Sequence, residues 1–249
     1  MMTKCDFTQQ HYAECLDIAK QYGYEIIPVC EWALYSEFDR FILLRHDVDF
    51  FPQYALDIAL IEHQKQIKST FYFYLHSEFY NALSPMNMRI IKHISDLGHE
   101  IGYHVDTRYS VEGEEKILEK IIGKPIRSYA QHFYSSTPRK LIDNYLNAMS
   151  SDMGVKYISD SSRNWREGCM CKWINGKANK LEILTHPLWW RVKSIERYST
   201  LDETFKDIKS ELLSSMESFK DVQAKYIDDL NGIQKIVNNA SKSKGDKRS

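Results

Sequence analysis

No stretch of this chain is apolar for long enough to cross a bilayer, and Met1-Met2-Thr3-Lys4-Cys5-Asp6 leads into polar residues rather than an apolar leader core. The expectation is therefore no signal peptide, no membrane span and a cytoplasmic location. Charge of one sign is also lacking. With 33 Lys and Arg against 34 Asp and Glu, the net charge is −1, so nothing draws the whole chain to nucleic acid or an anionic membrane. Cysteine is sparse and odd in number (Cys5, Cys15, Cys30, Cys169 and Cys171), which suits reduced thiols rather than a disulfide framework. Cys169-Met170-Cys171 has the form of a soft-metal motif but lacks a second ligand pair beside it in sequence. What the chain has in quantity is aromatics, 13% of 249 residues with 16 Tyr, which serves an aromatic core and would equally suit contact with carbohydrate. The length allows one large α/β domain or two small ones.

The rest of the chain is organised around Leu43-Leu44-Arg45-His46-Asp47-Val48-Asp49-Phe50. An apolar run from Phe41 ends there in ionisable side chains, and Phe51-Pro52 turns the chain into a helical pattern. If Phe41 to Asp49 is extended, Arg45, Asp47 and Asp49 share one face. Two carboxylates on one face repel, so a cation belongs beside them: a metal ion, or Arg45 alone. Before this stretch, Thr8 to Gln21 has helical spacing and Tyr24 to Val29 reads as a short strand. After it come a helix from Pro52, an aromatic strand Ser69 to Leu75, and a helix Pro85 to Leu97 stopped by Gly98. Next are a strand through His99 to His104, a helix capped by Ser110 and running to Ile122, and a strand Ile126 to His132. Pro138 opens a further helix with Leu141, Ile142, Tyr145, Leu146 and Met149 on its apolar side. Strands Val155 to Ser159 and Leu181 to His186 follow, with a loop or hairpin between them.

Repeated strand–helix alternation with short connections predicts an α/β fold with a parallel sheet. Six or seven strands favour an incomplete or distorted (β/α) barrel. Residues 1–40 would pack on a barrel spanning 41–199. Residues 200–237 carry apolar side chains every three or four positions, from Leu201 and Phe205 to Leu230 and Ile233. They predict an amphipathic helical segment that docks along the barrel or forms a homodimer. Residues 238–249 read as a disordered basic tail.

Asp47/Asp49, His104, His132, Asp160 and His186 all fall at predicted strand ends, where sites form in such folds. A single histidine is more often surface or core than ligand, and His63, His76 and His93 are read that way. The shared location raises Asp47, Asp49, His104, His132 and His186 above that background. Their types suit a divalent metal beside a general base and a general acid.

Four ordered segments resemble the polysaccharide deacetylase family, the chitooligosaccharide deacetylase homology group, and within it the divergent intracellular branch carrying R-H-D-V-D. Beside that motif at 45–49, Ser69-Thr70-Phe71-Tyr72-Phe73 is similar to the family's A-T-F-F-V strand. Gly98-His99-Glu100-Ile101-Gly102-Tyr103-His104 resembles its G-H-E-I-G-N-H segment, and Ile183-Leu184-Thr185-His186-Pro187 its late L-x-H motif. The likeness covers residues 41–191. It implies hydrolysis of an N-acetyl (or O-acetyl) group on a sugar, with Asp47 as base, Asp49 and His104 as metal ligands, and His186 as general acid. Val48 splits the family's adjacent aspartates, so the first two roles are open to exchange.

Two departures stand out. Arg108 occupies the position of the second histidine ligand, so His132 is the candidate third ligand, with Asp106 in reserve, or the site holds no metal. The family's R-x-P-Y arginine is missing where Ser136-Thr137-Pro138 stands, and Arg163 is the candidate to orient a carboxylate or the substrate. Trp189 and Trp190 beside His186 would stack on a pyranose ring, or pack as lid or core. The resemblance implies Zn²⁺, with Co²⁺, Mn²⁺ or Ni²⁺ as alternatives. The substrate would be an acetylated sugar, as a nucleotide-sugar or lipid-linked saccharide in surface glycan assembly. Two other readings stand beside it: an inactive deacetylase-like binding or scaffold protein, in which Arg108 and Arg45 neutralise the aspartates, and another metal-dependent hydrolase such as a phosphoesterase.

Overall fold

The computed structural model describes residues 5–106, 108–132, 145–149 and 151–191, with isolated positions between 202 and 228. The chain forms two compact units, Met1–Arg197 and Tyr198–Ser249. In the second, Asp202, Glu203, Phe205, Lys206, Lys209, Ser210, Leu213, Ile227 and Asp228 are helical. The remainder of the expected amphipathic segment and the basic tail lie outside the described residues.

The first unit opens with helix α1 (Gln9–Gln21), strand β1 (Glu25–Ile27), a short helix α2 (Trp32–Tyr35) and strand β2 (Phe41–Val48). It continues through α3 (Pro52–Gln64), β3 (Thr70–Tyr74), α4 (Pro85–Asp96), β4 (Glu100–Val105), α5 (Glu115–Ile122) and β5 (Ser128–Gln131). Strands β6 (Leu146–Asn147), β7 (Lys156–Ser159) and β8 (Lys180–Thr185) complete it. Local chemistry sets the helix starts. The Thr8 hydroxyl accepts from the His11 amide at 3.1 Å to cap α1, the Ser84 hydroxyl caps α4, and Pro52 and Pro85 occupy first-turn positions. Gly123 ends α5 at φ +70°, a left-handed conformation that costs glycine least.

Among the described residues every strand pairing is parallel, in the order β6-β5-β4-β3-β2-β8-β7, with β1 lying beside the first half of β2. All eight residues of β2 are buried, as a central parallel strand covered on both faces requires. The seven-strand sheet curls into a distorted (β/α) half-barrel. Curvature brings Phe41 and Leu43 of β2, Tyr72 of β3, Ala130 of β5 and Ala148 beyond β6 into one apolar cluster with Ile27, Val29 and Met153. A flat sheet would hold β2 and β6 four strands apart.

Strand alternation divides each strand between two environments. One face, with Ile42, Leu44, Phe71, Phe73, Ile101 and Ile183, is apolar and buried. The other carries Arg45, Asp47, Thr70, Tyr72, Glu100, His104, Ser128 and Glu182 into the curl. There Glu100 accepts from Thr70 Oγ1 at 2.6 Å and Ser128 Oγ at 2.7 Å, and Tyr72 meets Ser128 at 2.8 Å. His46 points the other way. Its ring contacts Thr185 Oγ1 at 2.7 Å and Glu62 Oε1 at 2.9 Å, and Glu62 also accepts from Tyr12 and Ser69. This network is fully buried and internally partnered, which makes His46 a packing residue.

Three expectations are corrected. Leu146 lies in strand β6, not in a helix continuing to Met149, because residues 146–147 pair with Ser128 and Tyr129 of β5; the helix expected from Pro138 otherwise lies outside the described residues. Ser110 does not cap a helix. Its hydroxyl meets Tyr103 and the Asp106 amide, and α5 starts only at Glu115. The link between β7 and β8 is a crossover rather than a hairpin, since those strands run parallel.

Candidate active site

Four strands of the curl deliver the ionisable cluster at their carboxyl ends. Asp49 follows β2 by one residue, His132 follows β5 and His186 follows β8, while Asp47 and His104 lie within β2 and β4. Asp49 Oδ1 sits 3.3 Å from His104 Nε2 and 3.1 Å from His132 Nδ1, and those two ring nitrogens are 3.1 Å apart. His186 Nε2 lies 3.7 Å from Asp49 Oδ2, and Asp47 Oδ2 lies 3.6 Å from His104 Nε2. Asp49 keeps 18% side-chain exposure and His186 14%, so the cluster opens to solvent.

His104 Nδ1 is 3.0 Å from the Ala130 carbonyl, which can only accept, so that nitrogen carries the proton and Nε2 faces the cluster with its lone pair. The His132 ring stacks on Tyr74 with centroids 4.3 Å apart. A carboxylate oxygen and two imidazole nitrogens thus converge, and they repel unless a proton or cation lies among them. Burial would raise the Asp49 carboxyl, yet the close His104 and His132 rings, with His186 beyond them, hold it well below the usual carboxylate range. Burial works against a charged His104, but Asp47 and Asp49 outweigh it and push the ring upward. Both shifts mark a pocket that attracts positive charge. The 3.1–3.3 Å edges also match those around a divalent ion, about 3.0–3.4 Å for ligand bonds of about 2.1 Å. The Asp49, His104 and His132 donors fit a metal ion on distance and on donor type.

Asp47 is flanked by a fully buried cation. Arg45 Nη1 lies 3.6 Å from Asp47 Oδ1, and Arg45 Nε lies 2.8 Å from Glu182 Oε1. The second contact is an ion pair rather than an aligned hydrogen bond, since neither atom finds hydrogen-bond geometry. Burial and Asp47 raise the Glu182 carboxyl to about 7 against the pull of Arg45. On the opposite side His186 Nδ1 meets Asp160 Oδ1 at 2.7 Å, and the His186 amide donates to the same carboxylate at 3.0 Å. Trp190 Nε1 donates to Asp160 Oδ2 at 2.9 Å. Burial opposes a charged His186, but Asp160 followed by Asp49 and Asp47 raises it to about 9. At neutral pH the ring is protonated, with Nε2–H turned towards Asp49.

The structure therefore brings Asp47, Asp49, His104, His132 and His186 together and places the remaining candidates elsewhere. Arg108 is not in the cluster. Its guanidinium grips Asp106 at 3.0 Å and 2.7 Å, with Nε and Nη2 on separate oxygens, and its side chain is 52% exposed. Asp106, the reserve ligand, is held by that pair and by Tyr74 Oη at 3.0 Å. Arg163 lies with its guanidinium 5.1 Å from the centre of the Phe7 ring. Trp190 is fully buried against Phe7, His11, Tyr12 and Trp165, and Trp189 packs near Phe50 at 5% exposure. Neither indole offers a face to a sugar, which corrects the stacking expectation in favour of core packing. Sequence reasoning gave Asp160 no role and left Arg45 without its buried partner Glu182. The position of Asp160 at the end of β7 was the available signal. A cavity of about 580 Å³ lies on α4 and α5, lined by Pro85, Met88 and Ile121 among others, and none of the cluster's side chains borders it.

No protein-family model matches the chain, and no curated protein does. Solved structures do. A CE4 family pseudoenzyme from Bacillus anthracis is 16% identical with a TM-score of 0.44, covering 70% of this chain and 62% of its own. The chain thus spans less than two thirds of that protein. The chitin deacetylase from Colletotrichum lindemuthianum is 17% identical with a TM-score of 0.42, covering 67% and 81%. A family 4 acetyl xylan esterase from Clostridium thermocellum, solved with a cobalt ion, is 17% identical with a TM-score of 0.40, covering 68% and 84%.

Proposed function

We propose that this chain is a metal-dependent hydrolase that removes an acetyl group from the nitrogen, or less readily the oxygen, of a sugar. One observation carries the reading: Asp49 Oδ1, His104 Nε2 and His132 Nδ1 form a three-donor set, flanked by Asp47 and His186, each with its own buried partner. A divalent ion held by Asp49, His104 and His132 would polarise the acyl carbonyl and make water more acidic. Asp47, 3.6 Å from Arg45, accepts a proton from the attacking water at a carboxylate oxygen. The water oxygen bonds to the acyl carbon as the carbon–nitrogen bond breaks. His186, protonated and aligned by Asp160, donates from Nε2 to the departing nitrogen, so acetate and a free amine leave. The ordered sequence segments favour an acetylated sugar over a phosphoester. Arg108 is paired with Asp106, which speaks against its neutralising Asp47 and Asp49 as the scaffold reading supposed.

The test is acetate release from N-acetylglucosamine oligomers and from a nucleotide-linked N-acetylhexosamine, after chelation and reloading with Zn²⁺, Co²⁺ or Mn²⁺. Turnover should depend on the ion. Asp47→Asn should keep the ion and lose about 10²–10⁴-fold in rate. Full turnover by the chelated protein would sink the proposal.

A further inference from the structure

A second cluster of metal-type donors lies away from the strand ends. His11 Nε2 is 3.4 Å from Cys169 Sγ and 3.6 Å from Cys15 Sγ, and Cys171 Sγ is 3.9 Å from Cys5 Sγ. Four of the chain's five cysteines meet here, drawn from three places: the segment before α1, α1 itself, and the turn at Met170–Lys172. His11 and Cys15 are four residues apart on α1 and share its buried face. His11, across 158 residues of chain, and Cys5 supply the second ligand pair that Cys169-Met170-Cys171 lacks in sequence.

We propose that Cys5, His11, Cys169 and Cys171 bind a structural Zn²⁺ ion, with Cys15 as an adjacent fifth donor. Their donor atoms all lie within 4.8 Å of one another. For zinc–sulfur bonds of about 2.3 Å, the edge of a tetrahedron is about 3.8 Å, and slightly shorter where one donor is imidazole nitrogen. The 3.9 Å and 3.4 Å contacts fall near those values, whereas a disulfide would need sulfurs about 2.05 Å apart. Three thiols and an imidazole are soft to borderline donors that favour Zn²⁺ over Mg²⁺ or Ca²⁺. His11, Cys15, Cys169 and Cys171 are each at most 4% exposed, and four protein ligands leave no position for substrate, so the site is structural. On binding, each ligating thiol releases its proton to solvent and no electron moves. The His11 ring is oriented by stacking on Trp190, centroids 6.3 Å apart and planes 24° apart, rather than by a hydrogen bond at Nδ1. The ion would tie the segment before α1 to the β7–β8 crossover, alongside the backbone contacts of Phe7 and Gln9 with Arg191.

The experiment uses the full chain, purified with a non-thiol reductant, stripped and reloaded with Co²⁺. A thiolate-to-cobalt charge-transfer band is expected, because the strand-end cluster contains no sulfur. The band should vanish in Cys169→Ser/Cys171→Ser and persist in Cys30→Ser and in Asp49→Ala. A reading that does not require the variant to fold is alkylation of the unaltered zinc-loaded protein, mapped by mass spectrometry. Exposed Cys5 should be protected until a chelator is added. A cobalt protein without the band, Cys5 alkylated at once regardless of chelator, or a Cys5–Cys171 disulfide in freshly reduced protein would each overturn the proposal. None of these outcomes bears on Asp49, His104 and His132.

Discussion

Asp160 ends β7 with both carboxylate oxygens committed, one to His186 and one to Trp190. In metal-free protein the His186 pKa of about 9 lies above its ordinary 6.5. The resulting stabilisation is complete below the unfolded value and is lost as pH rises through the folded one. Urea denaturation of the metal-free protein should therefore show falling stability between pH 6.5 and 9, and Asp160→Asn should flatten that fall. For the proposed metal-loaded reaction, the same substitution should move the alkaline limb of the rate profile to lower pH. Arg45 offers a second test. With Asp47 and Glu182 buried beside it, Arg45→Met leaves carboxylates without their cation and should cost about 3–5 kcal/mol. Glu182→Gln added to that variant should restore part of the loss, since Glu182 is the group already displaced towards neutrality. Individual residues were the hardest level to read from sequence. Asp47, Asp49, His104 and His186 stood in recognisable motifs. Asp160 stood in none, and its role exists only because β7 pairs with β8.

Strand alternation carries most of the information at the scale of elements. In β2 it turns Arg45 and Asp47 into the curl and His46 onto Glu62, a division evident from periodicity alone. It also explains Gly102, which faces Tyr72 across the β3–β4 pair. A Cβ there would come within 2.2 Å of the Tyr72 ring, which is fully buried and cannot swing clear. Gly102→Ala should destabilise by at least about 1–3 kcal/mol, and pairing it with Tyr72→Ala should make the added methyl nearly harmless; urea midpoints decide it. Helix patterns were less dependable near β6. Leu146 satisfied a helical spacing, but a strand partner on β5 overrode local preference. Ser110 looked like a helix cap by type, yet Tyr103 and Asp106 take its hydroxyl.

For the whole molecule, the curl of the parallel sheet is what makes four separate strand ends into one cluster. Parallel pairing follows from the repeated strand–helix pattern, whereas the strand order, with β8 between β2 and β7, does not; the thiol–imidazole cluster depends on α1 meeting the β7–β8 crossover and has no sequence signal beyond the C-x-C. His132 is the proposed third donor with Asp49 and His104, in place of the position Arg108 occupies. The most direct test of that role is metal content by mass spectrometry after one round of dialysis, comparing the unaltered chain with His132→Ala and Arg108→Ala, each in a Cys169→Ser/Cys171→Ser background that removes the sulfur site. With His132 in that role, one ion per chain is expected in the background protein, about the same in Arg108→Ala, and a loss of at least about tenfold in affinity in His132→Ala. An ion retained unchanged in His132→Ala, or lost in Arg108→Ala, would contradict it.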